Sequence, residues 1–397
     1  MIFLSHAATF NLKMAWHHLL ARGHDEDRYK LINHLEKRYE GKVVLYYNCR
    51  TGISEAVRTL VPAGSAVAVN GLTCIAVPQA IEAAGCAVKY LDVDQATLNF
   101  DAKKLDQAAR TNPKLKAVII QNMLGITVDI APIEAVAKKH RLVIIEDLAH
   151  CAGAHYPDGR PTGTVGDATV LSFGKGKVID TSHGGALVLR STDKTIGALA
   201  EPTKRPTAAD NFRDRIYPII NIPIRKFWRI KVGPAAVAAA LKLKLITKSA
   251  DGDILPDTTI NNWQARLALE QISTLEERAT FRRGYADATL DELGDVTTPS
   301  EVLRAGSVPI RLPLLVHERT YLIKQLKKLG YYLDDIWYDV PVSPKRHYAK
   351  TKFPEEECPE ATRIATQLIN LPTDIPLEAL AGSVHIIRRW QQERGRV

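Results

Sequence analysis

Apolar residues fall along this chain in two rhythms. Short β-branched runs bounded by polar or Gly-rich residues alternate with longer stretches at helical spacing. The short runs are Val43–Tyr47, Ala66–Asn70, Val88–Val93, Ala117–Asn122, Leu142–Ile145 and Ala168–Phe173, and they predict buried strands. Ile53–Leu60, the GLTCIAVPQAIEAAGC stretch and Ile130–His140 predict helices between them. Such alternation implies right-handed crossovers and a mostly parallel central sheet flanked by helices, an α/β fold. Residues 1–40 read as an N-terminal helical arm and 41–250 as a large domain. Residues 251–397 read as an inter-domain helix, predicted over Asn262–Leu290, and a smaller C-terminal α+β domain beginning at Val308. There VPIRLPLLV predicts a strand and Glu318–Leu329 a helix that stops at Gly330.

The richest chemistry lies at the ends of two of these strands. Glu146, Asp147 and His150 follow the first, and Ser172, Lys175 and Lys177 follow the second. In an open α/β sheet, ligands sit outside the carboxyl ends of the strands, so these groups can meet in one crevice. A lysine, a carboxylate and a hydroxyl suit pyridoxal phosphate. The lysine bonds the cofactor's aldehyde, the acid keeps the pyridine nitrogen protonated, and the hydroxyl joins backbone N–H groups on the phosphate. Lys177, Asp147 and Ser172 fill those roles in kind. The same residues also read as a strand-end acid and solvated loop lysines. The turn Asn48–Gly52, before a predicted helix, offers free N–H groups to an anion, as any strand–helix junction does.

Three blocks resemble the DegT/DnrJ/EryC1/StrS family, the sugar aminotransferase branch of the fold-type-I pyridoxal phosphate enzymes. They are IIEDLAHCAGAHY, GDATVLSFGKGKVI, and the Gly184–Gly185 pair with its strand. The resemblance runs from about Tyr46 to Pro376. It implies a lysine five residues after the serine, which is Lys177, with Lys175 a neighbouring basic residue. It implies Asp147 at the pyridine nitrogen, His150 against the cofactor or substrate, and Ser172 with Arg50, Thr51 and Gly52 at the phosphate. The family commonly has a ring-stacking aromatic after the Thr of its next block; here Cys74 follows Thr73. A phosphate-holding Asn reaches across the dimer in many members; the nearest match is Asp257, an acid, with Asn261 and Asn262 as weaker matches. Gln121 and Asn122 could line the site or cap their strand, and Tyr331, Tyr332, Trp337, Lys345 and His347 could line its mouth.

The implied activity is transfer of an amino group from glutamate or glutamine to a keto-sugar, nucleotide-linked in the family, by a homodimer. It would serve cell-surface polysaccharide or secondary-metabolite synthesis. Alternatives are another pyridoxal phosphate reaction on the same scaffold, or a non-catalytic or membrane-docked member. Relatives that dehydrate sugars carry His where Lys177 stands, which argues against that branch.

Five cysteines, Cys49, Cys74, Cys86, Cys151 and Cys358, lack metal-type spacing, and their odd number suits a reducing, cytoplasmic setting. No basic-then-apolar leader opens the chain, and no apolar run has the length of a membrane span. The formal net charge of +9 suits an anionic ligand such as a diphosphate substrate. No nucleic-acid-binding signature accompanies it. Residues 203–248 interleave basic residues with Ile216, Tyr217, Ile219, Ile220, Phe227 and Trp228. They read either as an inserted helical pair packed on the subunit or its mate, or as a peripheral segment docking on anionic lipid at the inner face of a membrane.

Overall fold

The alternation builds a seven-stranded sheet. The computed structural model describes residues 2–3, 11–190, 201–226, 232–247, 249–294, 298–303, 305–333, 336–373 and 377–394. The strands are β1 (Lys42–Tyr46), β2 (Ala66–Asn70), β3 (Ala87–Leu91), β4 (Leu115–Ile120), β5 (Val143–Asp147), β6 (Ala168–Ser172) and β7 (Gly185–Leu189). Their order is β1-β7-β6-β5-β4-β2-β3. β7 runs antiparallel to both its neighbours, and the other adjacent pairs are parallel. The carboxyl ends of β1 to β6 therefore line one edge, with the N-terminus of β7 among them.

The strands are apolar on both sides because both faces are covered. Val67, Val69, Ala117 and Ile119 face helices Cys49–Leu60 and Ala76–Ala83. Ala66, Ala68, Val118 and Ile120 face helices Ala102–Thr111 and Ile130–His140. Under β1 and β7, Val43, Leu45 and Val188 pack on helices Asp25–Tyr39 and Asn262–Ile272. The C-terminal pair, β8 (Arg311–Leu315) and β9 (Leu368–Pro372), is antiparallel, and Leu312 and Leu314 join the same core as helix Cys49–Leu60.

Two expectations change. The first helix of the sheet starts at Cys49 rather than Ile53, because the Asn48 side chain caps it by accepting the Thr51 N–H at 2.8 Å. The stretch expected as one helix over Asn262–Leu290 is two, Asn262–Ile272 and Leu275–Leu293. At the break, the Ser273 and Thr274 hydroxyls donate to the Glu270 and Gln271 carbonyls. The amphipathic insertion forms helices Ala208–Lys226 and Val232–Lys242. The first of them lies on helix Leu12–Leu20, where Arg215 Nη1 donates to the carbonyls of Leu19 (2.8 Å) and Ala21 (2.9 Å). Phe227, Trp228 and Pro376, which figured in the sequence patterns, lie outside the described residues.

Glu146 is fully buried on β5 and holds the fold together. Its carboxylate accepts from Tyr156 Oη (2.6 Å) and from the N–H groups of Gly163 (2.7 Å), Val165 (2.8 Å) and Gly166 (2.7 Å). Arg190 Nη2 donates to the same carboxylate at 3.3 Å. The charge is tolerated because each oxygen is satisfied and a guanidinium stands beside it. Glu146→Ala would leave Arg190 and three N–H donors without this acceptor. Urea unfolding is expected to show a loss of about 3–5 kcal/mol. A loss below 1 kcal/mol would contradict this account.

Candidate active site

Lys177 lies just after β6, in the stretch that leads to β7, and its amine points at His150, in the stretch after β5. The Nζ lies 3.1 Å from His150 Nε2. On the far side of the ring, the Leu124 N–H donates to Nδ1 at 3.3 Å. A neutral imidazole whose Nδ1 accepts carries its proton on Nε2; this tautomer is assigned from the hydrogen bonds. That N–H faces Lys177 Nζ. Burial pulls the Lys177 pKa down, against the opposing pull of Cys74 and Asp147. Burial also drives His150 well below its ordinary value, with the Lys177 and Arg311 charges adding to it.

The donor to His150 is held by unusual backbone. Leu124 has φ 55°, and Gly125 has φ 91°. A Cβ on Gly125 would stand 2.1 Å from the Val308 carbonyl oxygen, so only glycine fits there. Val308 and Ile310 N–H groups donate to the carbonyls of Gly125 (3.0 Å) and Leu124 (2.9 Å). The C-terminal region thereby clamps the turn that orients His150.

That region also supplies a wall. Trp337 stacks on His150 with centroids 5.1 Å apart and planes at 24°. Lys177 Nζ lies 4.5 Å from the centroid of the Trp337 ring, and Arg311 Cζ lies 4.1 Å from it. Asn370 on β9 pins the wall: its Oδ1 accepts from the Trp337 N–H and Arg311 Nη1, each at 3.2 Å, and its Nδ2 donates to the Trp337 carbonyl at 3.0 Å. Tyr338 Oη lies 3.4 Å from His150 Nε2.

Asp147 ends β5 and is almost wholly buried. Burial pushes its pKa up, opposed by the Ala149 N–H and the Lys177 charge. Its Oδ1 accepts from the Ala149 N–H at 3.0 Å and lies 3.9 Å from Cys49 Sγ. Among the described residues, no hydrogen bond engages its Oδ2. Ser172 ends β6, and its Oγ accepts a long bond (3.4 Å) from the Gly174 N–H. Arg50, in the first turn of helix Cys49–Leu60, donates from Nη2 to the Ala250 carbonyl at 2.8 Å. Its Nε is buried without a partner, a donor suited to an anion. Thr51 is committed to structure, its hydroxyl bonded to Asn48 Oδ1 (3.0 Å) and the Leu255 N–H (2.9 Å). Gly52 lets the helix approach β6, since a Cβ there would lie 2.9 Å from Val170 Cγ1. Cys74 sits on a two-residue strand paired with Val342–Ser343, close enough to act on the charges of Lys177 and Arg50.

Other sequence candidates go elsewhere. Lys175 points away, donating to Thr247 O and Oγ1 at 3.1 Å each. Gln121 accepts from Thr73 Oγ1 at 3.0 Å, and Asn122 Oδ1 accepts the Val128 N–H at 2.9 Å. Asp257 is exposed and pairs with Lys204 at 3.2 Å. Asn261 and Asn262 bond Asn211 (3.1 Å) and Asp25 (2.9 Å). His347 pairs with Asp251 at 2.7 Å, and Tyr331 and Tyr332 lie on a short strand beside Ile2–Phe3. Lys345 opens the four-residue helix that also carries His347. Three residues near Lys177 escaped the sequence reading: Cys49, Arg311 and Tyr338. Nothing in their local pattern marks them, because packing across distant segments brings them in.

The sequence model described as the DegT/DnrJ/EryC1/StrS aminotransferase family matches residues 43–216 and 248–380. This chain belongs to that family. It is thereby a pyridoxal-phosphate-dependent aminotransferase, and the sheet is that of fold type I. The GDP-perosamine synthase of Caulobacter vibrioides is 28% identical over 319 residues, 78% of this chain and 74% of that one. The L-glutamine:2-deoxy-scyllo-inosose aminotransferase of Micromonospora echinospora is 30% identical over 66% of this chain and 53% of that one. Among solved structures, Helicobacter pylori PseC, an aminotransferase involved in pseudoaminic acid biosynthesis, superposes with a TM-score of 0.71. It is 15% identical, with 96% of each chain covered.

The depressed His150 makes a pH prediction. In the unfolded chain it takes a proton near 6.5, whereas in the fold it does so only at much lower pH. Between the two, the unfolded state binds more protons, so stability falls as pH drops below 6.5. In His150→Gln, the loss between pH 7 and 5.5, read by urea unfolding, should be shallower by up to about 1.4 kcal/mol per pH unit. An unchanged slope would refute the assignment.

Proposed function

We propose that this family member binds pyridoxal phosphate through Lys177 and moves an amino group from glutamate or glutamine to a nucleotide-linked keto-sugar, as a homodimer. The observation that carries the reading is the buried amine of Lys177, its pKa lowered by burial, 3.1 Å from His150 Nε2 and beside a buried Asp147. The donor set fits the cofactor: an amine, an acid with an unengaged oxygen, a strand-end hydroxyl and the orphaned Arg50 Nε. The relatives' names support a sugar acceptor and, for one, a glutamine donor.

When bound, pyridoxal phosphate supplies an electrophilic carbon for amines and a ring that takes up the electron pair of a broken C–H bond. Asp147 would hold a proton at the pyridine nitrogen, and Ser172 Oγ and the Arg50 guanidinium would hold the phosphate. Lys177 Nζ would bond the cofactor's aldehyde carbon and carry the proton at the substrate carbon, a role its burial-lowered pKa favours. His150 Nε2–H aims that amine, and Trp337 keeps water from its other side. Arg311, held by Asn370, offers a guanidinium for the donor's carboxylate. Cys74 stands where an aromatic is common, so the flat surfaces beside Lys177 come from His150 and Trp337.

Incubation with pyridoxal phosphate, borohydride reduction and peptide mapping should place the label on Lys177. Lys177→Ala should lose it and lose transfer by at least about 10³-fold; Lys175→Ala should keep the label. A label on Lys175, or no absorbance change at saturating cofactor, would overturn the reading.

A further inference from the structure

The chain's excess of positive charge is not spread over its surface. Residues 203–248 hold eleven basic residues against Asp210 and Asp214, a formal charge of +9, the same as the whole chain's. The remaining residues balance to zero. The family match skips 217–247, between its two stretches. The skipped residues hold six of those basic residues and no acid, so an addition to the common fold carries +6 of the net charge.

The block is also apolar where it meets solvent. Helix Val232–Lys242 has one charged residue, at its C-terminal end, yet only Gly233 and Ala240 are buried among its residues. Val232 is 51% exposed, and Leu243, just beyond the helix between Lys242 and Lys244, is 68% exposed. A helix apolar all round is ordinarily buried. Helix Leu12–Leu20, packed on the same insertion, shows Leu12, Trp16 and Leu20 to solvent at helical spacing along one face. No helix among the described residues is long and apolar enough to cross a membrane.

We propose that helix Val232–Lys242, with the exposed Lys226, Lys242 and Lys244, forms an interfacial docking surface for an anionic lipid bilayer, the helix lying in the headgroup boundary and the lysines meeting the lipid charges. An apolar helix with basic termini matches that environment on both counts. A second copy of this chain fits less well, since a self-complementary contact would set +9 against +9. Nucleic acid offers nothing to the uncharged length of the helix. The surface is tied to the site: Lys175 binds Thr247, and Lys175 Nζ also lies over the Tyr217 ring at 4.7 Å. Docking would hold the active site at the bilayer.

The test is sedimentation of the full-length protein with large vesicles of phosphatidylcholine alone or with about a third phosphatidylglycerol. Binding is expected to the anionic vesicles, falling about tenfold or more in 0.5 M NaCl and on neutral vesicles. Lys242→Glu with Lys244→Glu should cut it about tenfold, and Val232→Asp with Leu243→Asp should do likewise. Light scattering of each variant reports its oligomeric state, and circular dichroism its fold. Absence of binding to anionic vesicles overturns the proposal. So does unchanged binding in both folded variants, or variants that dissociate into monomers with vesicle binding intact.

Discussion

Burying an amine inside a protein lowers its pKa and leaves its orientation to the few groups that reach it. At Lys177 that group is His150, whose Nε2 lies 3.1 Å away and whose Nδ1 accepts the Leu124 N–H. Leu124 in turn needs left-handed backbone, a glycine at 125 and the carbonyl clamps from Val308 and Ile310. The aromatic wall depends on Asn370, which holds Trp337 and Arg311 from β9. The reactive nitrogen is thus a product of long-range packing. Neither the sheet alone nor the C-terminal region alone would produce it.

Glu146 and Asp147 show how one strand divides two tasks. Side chains alternate across a strand, so neighbouring acids at its end face opposite ways. Glu146 faces a loop whose N–H groups and Arg190 neutralise it completely. Asp147 faces the site, accepts little, and its pKa is raised by burial. A carboxylate that is fully satisfied stabilises the fold and has no capacity left for a ligand. One left partly unsatisfied costs stability and can hold a proton where chemistry needs it.

Much of this was legible in the order of residues. The alternating runs mark every strand of the sheet before β7 to within a residue or two, because strands covered on both faces leave an unbroken apolar signature. Asp147, His150 and Lys177 were readable because they follow strands directly, where topology alone fixes their position. Arg311, Tyr338 and Cys49 were not, since their place depends on how the C-terminal region docks and on a helix that starts four residues earlier than its apolar face. Thr51 and Gly52 read as a phosphate turn, whereas their side-chain positions serve the Asn48 cap and the close approach to β6. Local pattern finds an element; which of its atoms remain free is decided by its neighbours.

The net charge illustrates the same limit from the other side. Read as a property of the chain, +9 suggests a field that draws in a diphosphate. Placed in the structure, the whole surplus belongs to residues 203–248, and the rest of the chain, which carries Lys177, is neutral overall. Of that segment's two acids, Asp214 is spent internally: it takes His183 Nδ1 at 2.5 Å, Tyr47 Oη at 2.9 Å and Gln264 Nε2 at 3.2 Å. That buried cluster fixes the insertion to the end of β1 and to the residues preceding β7, with Tyr47 and His183 stacked 4.9 Å apart. An anionic ligand at the site must therefore be recognised by single groups such as Arg50 and Arg311 at short range, where screening by salt is weak. The long-range field of the molecule points instead to whatever surface the insertion meets.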